Sequence, residues 1–393
     1  MNADSDPPDR PPFGTVDWET LSTTSRPSVS WPTWGLVCTL ALLLSFFTYD
    51  TLLLKAGDAI VFGWKMTPMN WLFVLSVVVL TWVFLVSVVS RPDRLASIRT
   101  RLASDPLALA CVAYLGLFCA AGLAGLYFSG RWPTPGYAHQ PPLFFTTPET
   151  AISNCYGVLE SGQCHATSSH PLGTDNHGRS MLRILAEGAY VSLQVVLIVG
   201  MLACSLALLV GSVAGYAGGR IDTILMRYVD VQQAVPAFVV YIVLIYVFGS
   251  SLFLFVLVFG LLNWGGIARV IRSEVLRITA EPYVQAARTY GSSHTRIIRR
   301  HVLPNVAGTA VVAGTQLMPR VLLIEAALSF LTLTSANVQS WGHTISVSFQ
   351  SVHPFATTWW ISTFPVAFLA STVIAFAVLG DRLRDVSDPN ANQ

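Results

Sequence analysis

Glu281-Pro-Tyr-Val-Gln-Ala-Ala-Arg-Thr-Tyr-Gly291, then Ser-Ser-His-Thr-Arg-Ile-Ile-Arg-Arg300, then His301-Val-Leu-Pro-Asn305: this polar, basic stretch stands between two long apolar runs. Thr279 can cap a short helix, and Pro282 is tolerated in its first turn, where no intrahelical donor is needed. Tyr283, Ala286, Ala287 and Tyr290 recur at i, i+3, i+4 and i+7, so they share one face. Two of the four are alanine, which leaves that face shallow enough for another surface to come close. Gly291 can end the helix as a C′ glycine, and Pro304 opens the next apolar run. Two readings stay open on physical grounds. One is a docking knob held between two membrane helices. The other is an amphipathic helix lying on anionic lipid, steadied by Arg288, Arg296, Arg299 and Arg300.

The apolar runs on either side are typical of the whole chain. Of its 393 residues, 53% are hydrophobic and 11% charged, and the mean hydropathy is +0.57. Soluble domains carry about a quarter charged residues, so this composition implies an all-α polytopic membrane protein. The formal net charge is only +2, and the only lysines are Lys55 and Lys65. Neither closes a Gly-x-x-x-x-Gly-Lys-[Ser/Thr] loop, so no nucleotide-binding P-loop is present. If ATP drives this protein, another polypeptide must bind it.

Residues 1–33 are rich in Pro, Asp, Ser and Thr without apolar periodicity, and read as a disordered cytoplasmic tail rather than a signal peptide. Eight apolar segments follow at 34–54, 70–90, 107–129, 189–217, 229–248, 252–268, 305–333 and 358–379. Each is near the ~20 residues that cross a bilayer. Arginine sets the topology. Arg91, Arg94, Arg99 and Arg101 form one basic loop, and the seven arginines of 269–300 form another. Arg220 with Arg227, and Arg382 with Arg384, mark two further basic ends. Eight spans with both termini in the cytoplasm put every basic loop on the inner side. The tail 381–393 is then cytoplasmic.

The 130–188 loop falls outside, where Cys155 and Cys164 either form a disulfide or remain two thiols. Cys38, Cys111, Cys119 and Cys204 lie in spans and read as packing residues. His165, His170, Asp175 and His177 are of the types that ligate metals. The competing reading is a turn shaped by Pro171 and the neighbouring glycines.

The wording of the opening stretch resembles the EAA loop of ABC importer permeases, which reads Glu-Ala-Ala, three residues, Gly, then a spacer ending Ile-x-Leu-Pro. The matching positions are Gln285-Ala286-Ala287, Gly291, and His301-Val302-Leu303-Pro304. The ending His301-x-Leu-Pro-Asn305 is typical of the dipeptide/oligopeptide/nickel branch. His170-Pro-Leu-Gly-Thr-Asp175-Asn-His-Gly178-Arg179 resembles that branch's His-x-Leu-Gly-Thr-Asp-x-x-Gly-Arg signature, which favours the shaped turn over a metal site. Gly188-Ala-Tyr-Val-Ser192-Leu193, Gly215-Tyr-Ala-Gly-Gly219, Trp264-Gly-Gly, Glu325-Ala-Ala-Leu-Ser-Phe330 and Ser340-Trp-Gly342 continue the match, which covers about 107–390. The departures are Gln285 for Glu, His301 for Ile, Tyr190 for Arg, Leu331-Thr-Leu-Thr334 for Leu-Gly-Leu-Gly, Val366 for Gly, and Met318-Pro319-Arg320 in place of a glycine-rich approach to Glu325.

The resemblance implies a type I permease core of six helices, to which 34–106 adds an N-terminal two-helix hairpin and a basic loop. Residues 107–188 hold the first core helix and the outer loop, and 189–380 the permease core with its coupling loop at 269–304. It implies one subunit of an ATP-driven importer in the cell membrane, for peptides or for nickel or oligosaccharides. The implied partners are a second permease subunit, two ATPase subunits carrying ATP and Mg, an external solute-binding protein and the lipid bilayer. No cofactor, metal or nucleic acid belongs to this chain. Tyr283, Gln285, Ala286, Ala287, Gly291, Leu303 and Pro304 are the implied coupling contacts. Arg320 and Glu325 are charged residues inside a span, where an ionised group costs about 2.5–3.5 kcal/mol, and so are candidates to face the pathway. Glu325 belongs to the family motif and reads as structural. Arg320 does not, and either meets an anionic group such as a peptide carboxylate or packs and snorkels. A stand-alone ion-driven transporter would need mirrored half-repeats with buried acids. A membrane enzyme would need a convergent nucleophile, base or metal set. The sequence displays neither.

Overall fold

In lipid a helix satisfies every backbone group within its own segment, so each apolar run is expected to be one. The computed structural model describes residues 30–52, 66–90, 100, 103–128, 136–335, 338–350 and 355–387. The arginines of 91–101 and the expected tail up to residue 29 lie outside the described residues. Helix α1 (Ser30–Leu52) starts inside the expected tail and is the one described element of the first of two units. The fully described part of α1, Gly35–Asp50, is apolar but shorter than a bilayer crossing.

The second unit, 57–393, contains the remaining helices. Those long enough to span are α2 (Pro68–Ser90), α3 (Pro106–Phe128), α4 (Met181–Ala217), α7 (Leu252–Leu262) running on into α8 (Gly265–Thr279), α11 (Leu303–Phe330) and α14 (Trp360–Ser387), the last preceded by a single turn, α13 (Phe355–Thr358). Between them, α5 (Gly219–Ala234) and α6 (Ala237–Phe248) make one span bent by 66°. The described residues therefore supply six spans, or seven with the bent pair, where eight were expected. The bend falls at Pro236, which lacks an N–H and holds Val235 extended at φ −91°, ψ 115°.

The expected span 252–268 continues to Thr279, so the first third of the expected coupling loop is helix. The extra turns are polar, and they are neutralised from α5: Arg269 bonds Asp230 at 2.5 Å and Arg272 pairs with Asp222. At the break between α7 and α8, the buried Gln232 of α5 donates Nε2 to the Leu262 carbonyl at 2.8 Å, supplying a donor to the end of α7. Arg382 near the end of α14 meets Asp105, the cap of α3, at 2.9 Å.

Helix α4 is the axis of this unit, packing against α3, α8, α11 and α7. Small residues set the approach. A Cβ on Gly211 would come within 2.6 Å of the Ala268 carbonyl, and one on Gly215 within 2.8 Å of the Arg272 carbonyl. This Gly-x-x-x-Gly spacing lets α4 and α8 touch along their backbones.

The second helix of the expected accessory hairpin packs one edge of its first turns on the core, while Leu80, Val83, Phe84 and Leu85 beyond are exposed. Met69, Phe73 and Ser76 of α2 are buried, and α2 packs on α4. Asn70 Oδ1 accepts from Tyr190 Oη at 3.3 Å and from Gln194 Nε2 at 3.1 Å, and Gln194 also donates to Tyr190 Oη at 3.0 Å. The tyrosine found where the resemblance has arginine is thus a contact for α2. Tyr190→Phe should remove about 0.6–1.7 kcal/mol, the range for polar contacts between membrane helices. A chemical-denaturation titration and faster amide exchange in the first two turns of α2 would register it.

Between α3 and α4 lies a small polar layer. Strands β1 (Thr146–Pro148), β2 (Leu159–Glu160) and β3 (Gln163–His165) form an antiparallel sheet in the order β1-β3-β2, with Cys155 bonded to Cys164. No group of three or more metal-ligating side chains occurs among the described residues. The His170–Arg179 turn is built around Asp175, whose Oδ1 accepts the backbone N–H groups of His177 (2.9 Å) and Arg179 (2.8 Å). Its other oxygen takes Arg179 Nε at 2.8 Å. Trp360 Nε1 donates to the Thr174 carbonyl at 3.0 Å and bolts the turn to α14.

Candidate functional site

The helix anticipated in the opening stretch is α9 (Pro282–Thr289). Its start differs from the expectation. Thr279 ends α8, its hydroxyl donating to the Leu276 carbonyl at 3.0 Å. Glu281 is the residue before the first turn, with φ −66°, ψ 139°, and Pro282 occupies N1. Arg277 holds Glu281 at 3.6 Å and Glu274 at 2.6 Å, so the turn from α8 into α9 is pinned on its acidic side. Gln285 Nε2 donates to the Ala280 carbonyl at 3.1 Å. A carboxylate could only accept there, which gives Gln in place of the usual Glu a local reason.

One side of α9 is anchored and the other is free. Val284 is fully buried and joins the main core with Ile297 and Val302, and Ala287 packs half-buried against the same core. Tyr283, Ala286 and Tyr290 are exposed, Tyr290 by 90%. The face read as four residues therefore divides: Ala286 and Tyr290 point away from the chain, Tyr283 is exposed but braced from the start of α11, and Ala287 seats the helix. Gly291 stands at φ +75°, and the next N–H, of Ser292, returns to the Ala287 carbonyl at 3.1 Å, as in a Schellman end. Nothing lies within 4 Å of a Cβ built on Gly291, so its requirement is conformational rather than one of space.

The knob is tied to two long helices. The Arg288 guanidinium lies 4.7 Å from the ring centre of Tyr216, near the end of α4, and Tyr216 Oη is 2.9 Å from His294 Nδ1 of α10 (His294–Ile297). Tyr283 packs on His301, ring centres 5.8 Å apart, and Asn305 Nδ2 donates to Tyr283 Oη at 3.3 Å and to the His301 carbonyl at 2.7 Å. A π turn, Ile298–Val302, connects α10 to α11, leaving Leu303 half-buried and Pro304 exposed in the first turn of α11. Arg296, Arg299 and Arg300 are exposed beside it.

Arg320 and Glu325 part company. Arg320 is exposed on α11, one residue after Pro319. Glu325 is 1% exposed and accepts from Ser329 Oγ at 2.7 Å, so within this chain it is an interior group. Sequence reasoning passed over Asn305 and Tyr216, the residues that join the knob to α11 and α4. Both stood inside quoted motifs, Asn305 at the end of the opening stretch and Tyr216 within Gly215-Tyr-Ala-Gly-Gly219, but neither motif says which residue it meets.

Residues 207–393 match the family described as "Binding-protein-dependent transport system inner membrane component". Among curated proteins, the chain is 36% identical over 224 residues to the dipeptide transport system permease protein DppC of Bacillus subtilis (strain 168), covering 57% of this chain and 69% of that one. It is 35% identical over 223 residues to the oligopeptide transport system permease protein OppC of Escherichia coli (strain K12), covering 56% and 73%. To OppC of Salmonella typhimurium it is 35% identical over 241 residues, covering 61% and 78%.

Proposed function

This chain belongs to the family of binding-protein-dependent transport inner membrane components, and from that membership we propose that it is one of two permease subunits of an ATP-driven importer of di- and oligopeptides. Its own part is to form half of the pathway and to receive motion, not to do chemistry. The observation that carries this reading is the presentation of α9: Val284 and Ala287 fix it to the core and Tyr283 braces it against His301 and Asn305, while Ala286 and Tyr290 stand exposed on the outer face. A helix lying on lipid would not need that rigid two-sided mounting. A groove in a separate ATPase subunit, which binds ATP and Mg, is the occupant the family supplies. A second permease subunit completes the pathway, and an external binding protein delivers solute.

On this reading both termini are cytoplasmic, on the side of α9. Arg320, exposed on α11, faces the pathway and meets the carboxylate of a passing peptide. The peptide assignment rests on the names of the relatives.

The test is purification of the tagged chain from its native membrane, identification of what accompanies it, and reconstitution of that assembly. A second permease, P-loop ATPases and ATP-dependent peptide uptake are the expected findings. Arg320→Gln should weaken uptake of peptides with free carboxyl termini more than of amidated ones. A chain that purifies alone and moves solute down an ion gradient without ATP would replace this reading with an ion-driven one.

A further inference from the structure

Helix α11 touches α9 at one end and a buried carboxyl organises the other. The helix has 28 residues, about 42 Å at 1.5 Å per residue. At its first turns stand the Tyr283–His301 and Tyr283–Asn305 contacts already described. Near its last turn Glu325 Oε1 accepts from Ser329 Oγ, and Ser329 Oγ shares a second hydrogen bond of 2.7 Å with Thr334 Oγ1 in the segment that follows the helix. The buried side chain of Ser340 also faces the Glu325 carboxyl. Ser340 is the N-cap of α12 (Trp341–Phe349), its Oγ accepting from the His343 N–H at 3.2 Å. From α6, the fully buried Tyr241 donates Oη to the Leu333 carbonyl at 3.1 Å. No ion pair to Glu325 occurs among the described residues, so its partners are hydroxyls.

We infer that Glu325 is a positioning residue: it latches α12 and the 331–335 segment onto the end of α11, so that a displacement begun at α9 is delivered through α11 to α12 and to the bent span together. Two features make α12 a credible moving part. It is a short wedge, with Trp341 Nε1 donating to the Leu185 carbonyl of α4 at 3.1 Å and Gly342 set against the Ala326 backbone of α11. Its far end is held by ring contacts alone, Phe349 being 65% exposed with its ring 6.1 Å from Phe330 of α11 and 6.4 Å from Phe355. The carboxyl matters because hydroxyls buried in a membrane helix bundle need acceptors, and one carboxyl offers about four lone-pair sites. Glutamine keeps an acceptor oxygen in the same place, and leucine keeps only the volume.

What drives α11 rests on the importer reading, but the latch itself does not. The test compares Glu325→Leu and Glu325→Gln in the assembled complex, by amide exchange in nanodiscs and by peptide uptake per ATP hydrolysed. Glu325→Leu should speed exchange in 331–335 and 338–349 by at least about tenfold, leave α9 and the buried half of α4 protected, and lower uptake per ATP at least about tenfold. Glu325→Gln should restore both to within about threefold of wild type. Unchanged exchange in α12 for Glu325→Leu overturns the latch, whatever happens to transport. So does loosening that spreads evenly through α4 and α9, which would make Glu325 an ordinary core residue. Absence of ATP-dependent uptake in the wild type, with the exchange pattern as expected, would instead remove the importer reading and leave the latch standing.

Discussion

Ala286→Trp should abolish coupled uptake while leaving the folded chain intact. Ala286 is exposed, and exposed substitutions away from special backbone geometry usually change stability by less than about 0.5 kcal/mol. Its neighbours on α9 give no such clean probe. Val284 is fully buried and Ala287 packs on the core, so bulk at either would unseat the helix from its own chain. At Ala286 a tryptophan would instead stand between Tyr283 and Tyr290, in the middle of the face that an ATPase groove must cover. A substitution at the centre of such an interface costs about 2 kcal/mol or more, about 30-fold in affinity. The measurements are retention of the ATPase on the purified permease and ATP-dependent uptake, with the detergent melting profile as control. A tryptophan variant that still retains the ATPase and transports at the wild-type rate would take α9 out of the coupling role, and the lipid-surface reading would regain its place.

The short helix of the candidate site was legible because its signals are local. Pro282 at N1, a small-residue face and Gly291 at a left-handed turn are all written within eleven residues, and the structure keeps them in that order. Reading failed where a decision depended on partners remote in sequence. The end of the span at 268 was set by the first arginine, because a lone Arg269 or Arg272 looks expensive in lipid, and nothing local says that Asp230 and Asp222 answer them. The bend at Pro236 was hidden because the run from 229 is apolar enough to pass for one straight helix. The packed edge of α2 was hidden for a related reason. Leu, Val and Trp look alike whether they face lipid or protein, and Asn70 becomes informative only beside Tyr190 and Gln194. In a bilayer, hydrophobicity marks which segments enter but not which face packs. The disulfide stayed open on sequence alone because spacing permits a bond without requiring one; in the fold the two cysteines lie on either side of a β-hairpin turn.

That last limit gives the second large prediction, at a residue with no polar signal. Gly125 and Gly116 occupy the same helix, α3, and look equivalent in sequence. A Cβ on Gly125 would run into the Ala186 carbonyl and the neighbouring peptide of α4, whereas one on Gly116 meets nothing within 4 Å. The Gly125 obstacle is backbone, so no rotamer change relieves it, and the two helices must separate along their whole contact. Gly122 lies one turn earlier on the same face, where an added Cβ would stand 3.2 Å from the Ala189 carbonyl, so separation at Gly125 also loosens that approach. Overpacking of this kind costs about 1–3 kcal/mol where side chains can adjust, and more where they cannot. Gly125→Leu is therefore expected to lose more than about 3 kcal/mol, a large share of the 5–15 kcal/mol that folded proteins command. Gly116→Leu should stay within about 0.5 kcal/mol of wild type or gain slightly, because leucine is the better helix former. Monodisperse yield after detergent extraction, followed by thermal inactivation of the purified chain, separates the two. Equal behaviour of the pair would mean that α3 does not rest on α4 at the backbone distance described, and that the helix carries its glycines for another reason.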